Sequence, residues 1–268
     1  MKPLREAFAL VLRTPRLWAV QFLGNAVILL LYAGWLRLPE AHWWDLVLNV
    51  VVVLLAIVGA LVLHGGTLNY FPSAHADRSA LLIPNFRQAL RHCLAIAVWA
   101  LVFFFLCFQA DKLGDYAYTF PGYLRAELPH WLRKHTTADS FTSVYDFIVG
   151  FILWIVLPGL LLPGALLAAN QGFRGLIRLR AWGRVLRRVS YWVVLVLAVV
   201  PAGIVVMLLL DWKMNADTAT LRGEEISLVL RLLACYVIAL FAWLWVCSII
   251  GKAYQETNAV VTMASKEA

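Results

Sequence analysis

Six stretches of this chain run almost without charge, at roughly Leu17–Leu36, Leu46–Leu63, Cys93–Ala110, Phe147–Ala169, Val189–Leu210 and Leu232–Ile250. A hydrocarbon core about 30 Å thick takes about 20 apolar helical residues. A charged side chain at the centre of such a helix costs about 2.5–3.5 kcal/mol on insertion scales. The six stretches meet both conditions and are predicted to be transmembrane α-helices. A β-barrel is excluded by pattern: its strands alternate apolar and polar residues, and Val50-Val51-Val52-Val53-Leu54-Leu55 does not. Composition points the same way, with 63% apolar and 14% charged residues against about 45–50% and about 25% in soluble domains. The expected fold is all-α, a single polytopic membrane bundle of six spans.

Orientation follows from the basic residues. With the amino terminus inside, the inner segments hold 15 Lys and Arg (Arg78 among them) against four acidic residues, and the outer segments hold eight against eleven. That distribution obeys the positive-inside rule. It predicts both termini in the cytoplasm, with the bacterial inner membrane as the default location. The net charge of +8 is then a product of topology and gives no reason to invoke nucleic acid. The first apolar run exceeds a typical signal-peptide core and no small-residue cleavage site follows Trp35, so an uncleaved anchor is expected.

The inner segments repeat a short motif. Phe8-Ala9-Leu10-Val11-Leu12-Arg13 precedes span 1, Phe86-Arg87-Gln88-Ala89-Leu90-Arg91 precedes span 3, and Trp182-Gly183-Arg184-Val185-Leu186-Arg187 precedes span 5. Each reads aromatic-x-x-x-Leu-Arg. The spacing places the aromatic and the Leu on one helical face. Short interfacial helices are predicted, apolar face in the acyl boundary and basic face toward anionic headgroups. The unit of interfacial helix, span and return span would occur three times, a candidate threefold repeat. Candidate headgroup ligands are Arg13, Arg87, Arg91, Arg174, Arg178, Arg184, Arg187 and Arg188, each contributing about 1 kcal/mol near a charged membrane surface.

This layout, with Pro158-Gly159 through Asn170-Gln171-Gly172-Phe173 leading into an Arg-rich helix, resembles the membrane domain attached to some bacterial glycerophosphodiester phosphodiesterases and related multi-span bacterial proteins. The resemblance implies a helical bundle without an assigned role. The soluble catalytic domain of those enzymes has no counterpart here, so their activity is not implied.

Motifs for chemistry are absent. There is no His-Glu-x-x-His zinc site, no Walker loop and no Gly-x-Ser-x-Gly elbow, and no cofactor is expected. His64-Gly65-Gly66 is expected to be a turn that ends span 2 at the membrane face. Cys93, Cys107, Cys235 and Cys247 lie in spans 3 and 6 without a Cys-x-x-Cys pair and read as apolar fillers. Gln21 and Asn25 share a face of span 1, and Asn49 of span 2 is expected to meet them. They read as interhelical hydrogen bonding or as the lining of a cavity. Pro158 and Pro163 are expected to weaken span 4, where a discontinuous helix would suit a transporter. Arg231 is expected to snorkel to the outer headgroups. In the outer loop, Leu124, Leu128, Trp131 and Leu132 form an amphipathic stripe kinked at Pro129, near Tyr116, Tyr118, Phe120 and Tyr123.

Three functions remain open. A non-enzymatic scaffold or lipid-interacting protein would take anionic lipids or a protein as partner. A transporter component would show a midplane cavity bordered by Asn25, Asn49 and Pro158. An intramembrane enzyme would need His64, His92 and Asn170 to converge. The sequence contains no GxxxG pair to signal dimerisation.

Overall fold

The computed structural model describes residues 2–38, 42–77, 79–117, 119–135, 137–212 and 221–267. Arg78 and Tyr118 lie outside them. In chain order the elements are α1 (Lys2–Leu12), α2 (Pro15–Trp35), α3 (Trp43–Ala76), α4 (Leu82–Arg91), α5 (Cys93–Asp111), a 3₁₀ turn (Lys112–Tyr116), α6 (Phe120–Glu127), α7 (His130–His135), α8 (Ala138–Phe151), a π-helical turn (Ile152–Val156), α9 (Leu157–Gln171), α10 (Phe173–Leu176), α11 (Leu179–Leu186), α12 (Val189–Asp211) and α13 (Leu221–Glu267). The described residues contain no strand. Six helical segments are long and apolar enough to cross a membrane: Pro15–Trp35, Trp43–Ala76, Cys93–Tyr116, Asp139–Gln171, Val189–Asp211 and Arg222–Glu256. The protein is a polytopic helical bundle.

The spans pair in sequence order. The helices α2 and α3 form one antiparallel hairpin, and α12 and α13 form another. Between them, α5 packs on α9, the second half of the α8–π–α9 span. Each hairpin follows one of the three motif helices α1, α4 and α11, so the motifs occupy equivalent places in the chain.

Two helices far outrun the bilayer. At 1.5 Å per residue, the 34 residues of α3 reach about 50 Å, against about 30 Å of hydrocarbon. The excess includes His64-Gly65-Gly66, which continues the helix instead of ending it. The reason is close packing. A Cβ on Gly65 would stand 2.7 Å from Ile96 Cδ1, and one on Gly66 would stand 2.7 Å from the Phe86 ring. The glycines are notches that let α4 and α5 approach α3, and that contact outweighs their low helix propensity. The last helix, α13, likewise runs past its apolar centre.

These extensions build a packed layer at the end of the bundle that carries α1, α4 and α11. Its core joins Val11, Leu17, Phe71, Leu166, Val185, Tyr191, Leu195, Leu244 and Ile250, all almost completely buried. Toward the opposite end the helices present apolar side chains outward, including Leu30 at 72%, Phe104 at 68% and Met207 at 69% exposed. Such surfaces suit lipid and would be costly in water.

The motif helices are strongly amphipathic, as their spacing predicts, but they dock differently. The residue before the motif Leu is the one that enters the core: Val11, Ala89 and Val185 are all buried. The aromatics pack on protein instead of standing only in the acyl boundary. Phe8 meets Phe241 and Trp245 edge-on with centroids 5.5 Å away. Phe86 fills the Gly66 notch, and Trp182 stands edge-on to Trp99 at 5.3 Å.

Two smaller expectations change. Pro129 separates α6 from α7 instead of kinking one helix, because the residue before a proline is driven to extended backbone and Leu128 adopts ψ 146°. Arg231 does not simply snorkel outward. Its guanidinium donates to the carbonyls of Leu209, at 3.3 Å, and of Trp212, and it lies 5.6 Å from the Trp212 ring centroid. It ties the last carbonyls of α12 to α13.

Candidate functional site

The prolines of span 4 show how the bundle handles a weakened helix. Pro163 has no N–H to offer the carbonyl four residues back, at Gly159, and its ring crowds that turn. One side chain fills the gap, and two more from other helices brace the next carbonyls of the turn. Tyr191 of α12 donates its hydroxyl to Gly159 O at 2.7 Å. Trp182 of α11 donates Nε1–H to Leu160 O at 2.6 Å, and Trp99 of α5 donates to Leu161 O at 2.9 Å. The preceding π turn, Ile152–Val156, leads into Pro158 without interrupting the helical path. Both Pro-Gly pairs serve close contact. A Cβ on Gly159 would stand 2.7 Å from Leu195 Cδ2, and one on Gly164 would stand 2.7 Å from Trp99 Cε2. The expected discontinuity is thus a latched helix.

Gln21 and Asn25 do come together. Asn25 Nδ2 donates to Gln21 Oε1 at 3.2 Å and to Gln21 O at 2.9 Å. Gln21 Nε2 donates to Leu63 O at 3.2 Å and to Thr67 Oγ1. Their partner on α3 is therefore Thr67. Asn49 lies apart, 14 residues before Leu63 and about 21 Å along the helix axis. Gln21 is fully buried, and the cluster binds α2 to α3.

His64 and His92 engage different partners. His64 stands edge-on to Trp243 of α13 with centroids 5.3 Å apart. His92 Nδ1–H and Asn69 Nδ2 both donate to Ala169 O at 2.9 Å, and Gln88 Nε2 donates to Asn170 O at 2.6 Å. A helix leaves its last four carbonyls unpaired; this set satisfies two of those of α9, and Gly172 N–H takes a third, Ala168 O. Gly172, with φ +63°, then turns the chain into α10, a conformation in which a side chain would be strained. Among the described residues no group of His, Cys, Asp and Glu could hold a metal ion. The four cysteines are free thiols, with Cys235 and Cys247 buried.

The basic residues gather at the packed end. Arg13, Arg87, Arg91, Arg174, Arg178, Arg184 and Arg187 are exposed there. Arg188 is engaged differently: it is half-buried and paired with Glu256 of α13. Lys252 of α13 is nearly buried and paired with Glu6 of α1. Ser248 adds a second tie, donating Oγ–H to Ala7 O at 3.1 Å, with His75 Nε2 3.2 Å from Ser248 Oγ.

Sequence reasoning did not foresee a half-open cavity in this layer. A chamber of about 1060 Å³ lies between the start of α1–α2 and the junction of α3 with α4. Arg5, Arg13 and Arg16 line it together with Tyr70, His75 and an apolar wall of Leu10, Leu17, Leu81, Leu82 and Ile83. A second, apolar furrow of about 360 Å³ is lined by Val20, Val62, Leu82, Ile83, Phe86, Arg87 and Leu90. Leu82 and Ile83 border both. Of the three arginines, Arg13 was legible from its motif as a headgroup ligand. That the α3–α4 junction closes over them depends on α3 continuing past Gly66, which the glycine pair concealed.

Comparison of the chain with protein-family models, with curated proteins and with solved structures gives no match.

Proposed function

We propose that this protein is a non-enzymatic, lipid-interacting scaffold of the bacterial inner membrane, with its basic face and both termini in the cytoplasm. One observation carries the reading: exposed arginines from the α1–α2 junction, α4 and the α10–α11 segment collect at a single end of the six spans. Cations held at that depth attract anionic headgroups, and guanidinium binds phosphate with two parallel hydrogen bonds. The commitment of His92 to the Ala169 carbonyl speaks against an intramembrane enzyme built on it. The latched Pro163 speaks against a transport hinge, and neither cavity at the basic end is bordered by Asn25, Asn49 or Pro158. The likeness in span layout to the phosphodiesterase-attached membrane domain is read as a shared bundle and not a shared activity.

The test is stability in nanodiscs of increasing phosphatidylglycerol content in phosphatidylcholine. The melting temperature should rise with the anionic fraction, and the gain should shrink with added salt. A melting temperature indifferent to lipid charge would overturn the proposal.

A further inference from the structure

We infer that the chamber beneath Arg5, Arg13 and Arg16 is a discrete seat for one anionic phospholipid. Its phosphate is held by those three guanidinium groups, and one acyl chain crosses Leu82 and Ile83 into the apolar furrow beside α2. The inference deepens the lipid-interacting reading and rests on it.

Charge gives the first argument. The chamber gathers three arginines, and among the described residues none of them pairs with a carboxylate. The acidic side chain on its wall, Glu6, is committed to Lys252. Elsewhere in this layer the bundle does neutralise its cations, as with Lys252 and Arg188. Three cations left facing one cavity call for an anion, and phosphate suits them because guanidinium binds its oxygens in a fork geometry. The helices α2 and α4, of 21 and ten residues, both begin at the chamber wall. Their positive dipole ends add to the same field.

Shape gives the second argument and separates a lipid from a free phosphate. At about 1060 Å³ the chamber matches the largest small-molecule pockets, which reach about 1,000 Å³, and exceeds what one inorganic ion fills. Its wall is aliphatic at Leu10, Leu17, Leu81, Leu82 and Ile83. Beyond the shared Leu82–Ile83 edge the furrow continues between Val20, Val62, Phe86 and Leu90, with Arg87 on its border. A basic pocket leading into an apolar groove along transmembrane helices has the form of a phospholipid, one polar end and one greasy end.

The experiment uses the full chain and native mass spectrometry, with phosphatidylglycerol titrated against phosphatidylcholine. Wild type should retain one phosphatidylglycerol tightly over a weaker, diffuse shell. Arg13→Gln/Arg16→Gln should weaken the tight site about 25-fold, at about fivefold per charge removed. Ile83→Trp, at a residue 77% exposed, fills the entry to the furrow without touching the core and should weaken the same site. Arg174→Gln/Arg178→Gln should thin the diffuse shell and leave the tight lipid in place. If both double variants and wild type bind alike, or if Arg174→Gln/Arg178→Gln weakens the tight site equally, the chamber is no seat although the basic face still attracts anions. If no variant, wild type included, prefers phosphatidylglycerol, the broader lipid reading fails as well. Sodium phosphate should displace the bound lipid no better than sodium chloride of equal ionic strength. Displacement specific to phosphate would overturn the assignment to lipid.

Discussion

Replacing Tyr191 with Phe removes one hydroxyl from the packed core and leaves the ring in place. Tyr191 is fully buried, and its hydroxyl is 2.7 Å from Gly159 O, a carbonyl whose backbone donor Pro163 has deleted. An unpaired buried carbonyl costs about 1–3 kcal/mol. Interhelical hydrogen bonds in membrane proteins average about 0.6 kcal/mol and reach about 1.7. Most such bonds can be replaced from within the helix, but this one cannot, so the upper figure applies. We expect Tyr191→Phe to cost about 1.5 kcal/mol, about tenfold in the unfolding equilibrium. The reasoning has a stricter form. Pro163→Ala restores an N–H within reach of Gly159 O, and the tyrosine hydroxyl then becomes redundant. In that background Tyr191→Phe should cost under about 0.5 kcal/mol, a coupling of about 1 kcal/mol across the cycle. Reversible unfolding in mixed micelles with rising dodecyl sulfate reads all four variants. Equal costs in the two backgrounds would refute the claim that the hydroxyl stands in for the missing amide.

Three further perturbations separate packing from charge. Gly164→Leu drives a side chain into Trp99 and strains its bond to Leu161 O; overpacking of this kind costs about 1–3 kcal/mol, and a variant as stable as wild type in the same micelle assay would contradict the notch. Ser248→Ala removes the bond to Ala7 O and one of two contacts with His75, whose Nε2 stays 3.0 Å from the Ser248 carbonyl, a loss of about 1 kcal/mol, and amide exchange in α1 should quicken; unchanged exchange would mean that Ser248 does not hold α1. Arg188→Gln breaks a pair whose side chains are 30% and 42% exposed, so it should cost under about 1 kcal/mol, less still in high salt, and a larger loss would show that the pair carries structural weight.

The sequence exposed what depends on local pattern and hid what depends on distant partners. The apolar centres of the spans are read directly from the cost of charge in lipid. The motif helices are read from the spacing of Phe8, Phe86 and Trp182 against their leucines. Gly65-Gly66 looked like a helix end because glycine is a poor helix former, and only the approach of Phe86 and Ile96 makes it a packing notch. Pro158 and Pro163 looked like a break because the donors that hold this turn are Tyr191, on the orphaned carbonyl, and Trp182 and Trp99, on the next two, from 22 to 62 residues away in sequence. Arg188 looked like its neighbours until Glu256, 68 residues on, took it. The chamber was hidden for the same reason: its walls come from α1, α2, α3 and α4, and no single segment carries its outline.

The account stands on the threading that puts the basic layer on the inner side of the membrane. In a background with Cys93, Cys107, Cys235 and Cys247 replaced by Ala, single cysteines would be placed at Arg178, between α10 and α11, and at Glu127, at the end of α6, both exposed. Intact bacteria would then be treated with a membrane-impermeant maleimide. The account predicts labelling of Glu127→Cys in intact cells, and labelling of Arg178→Cys only after the membrane is opened. Labelling of Arg178→Cys from outside, with Glu127→Cys protected, would contradict it.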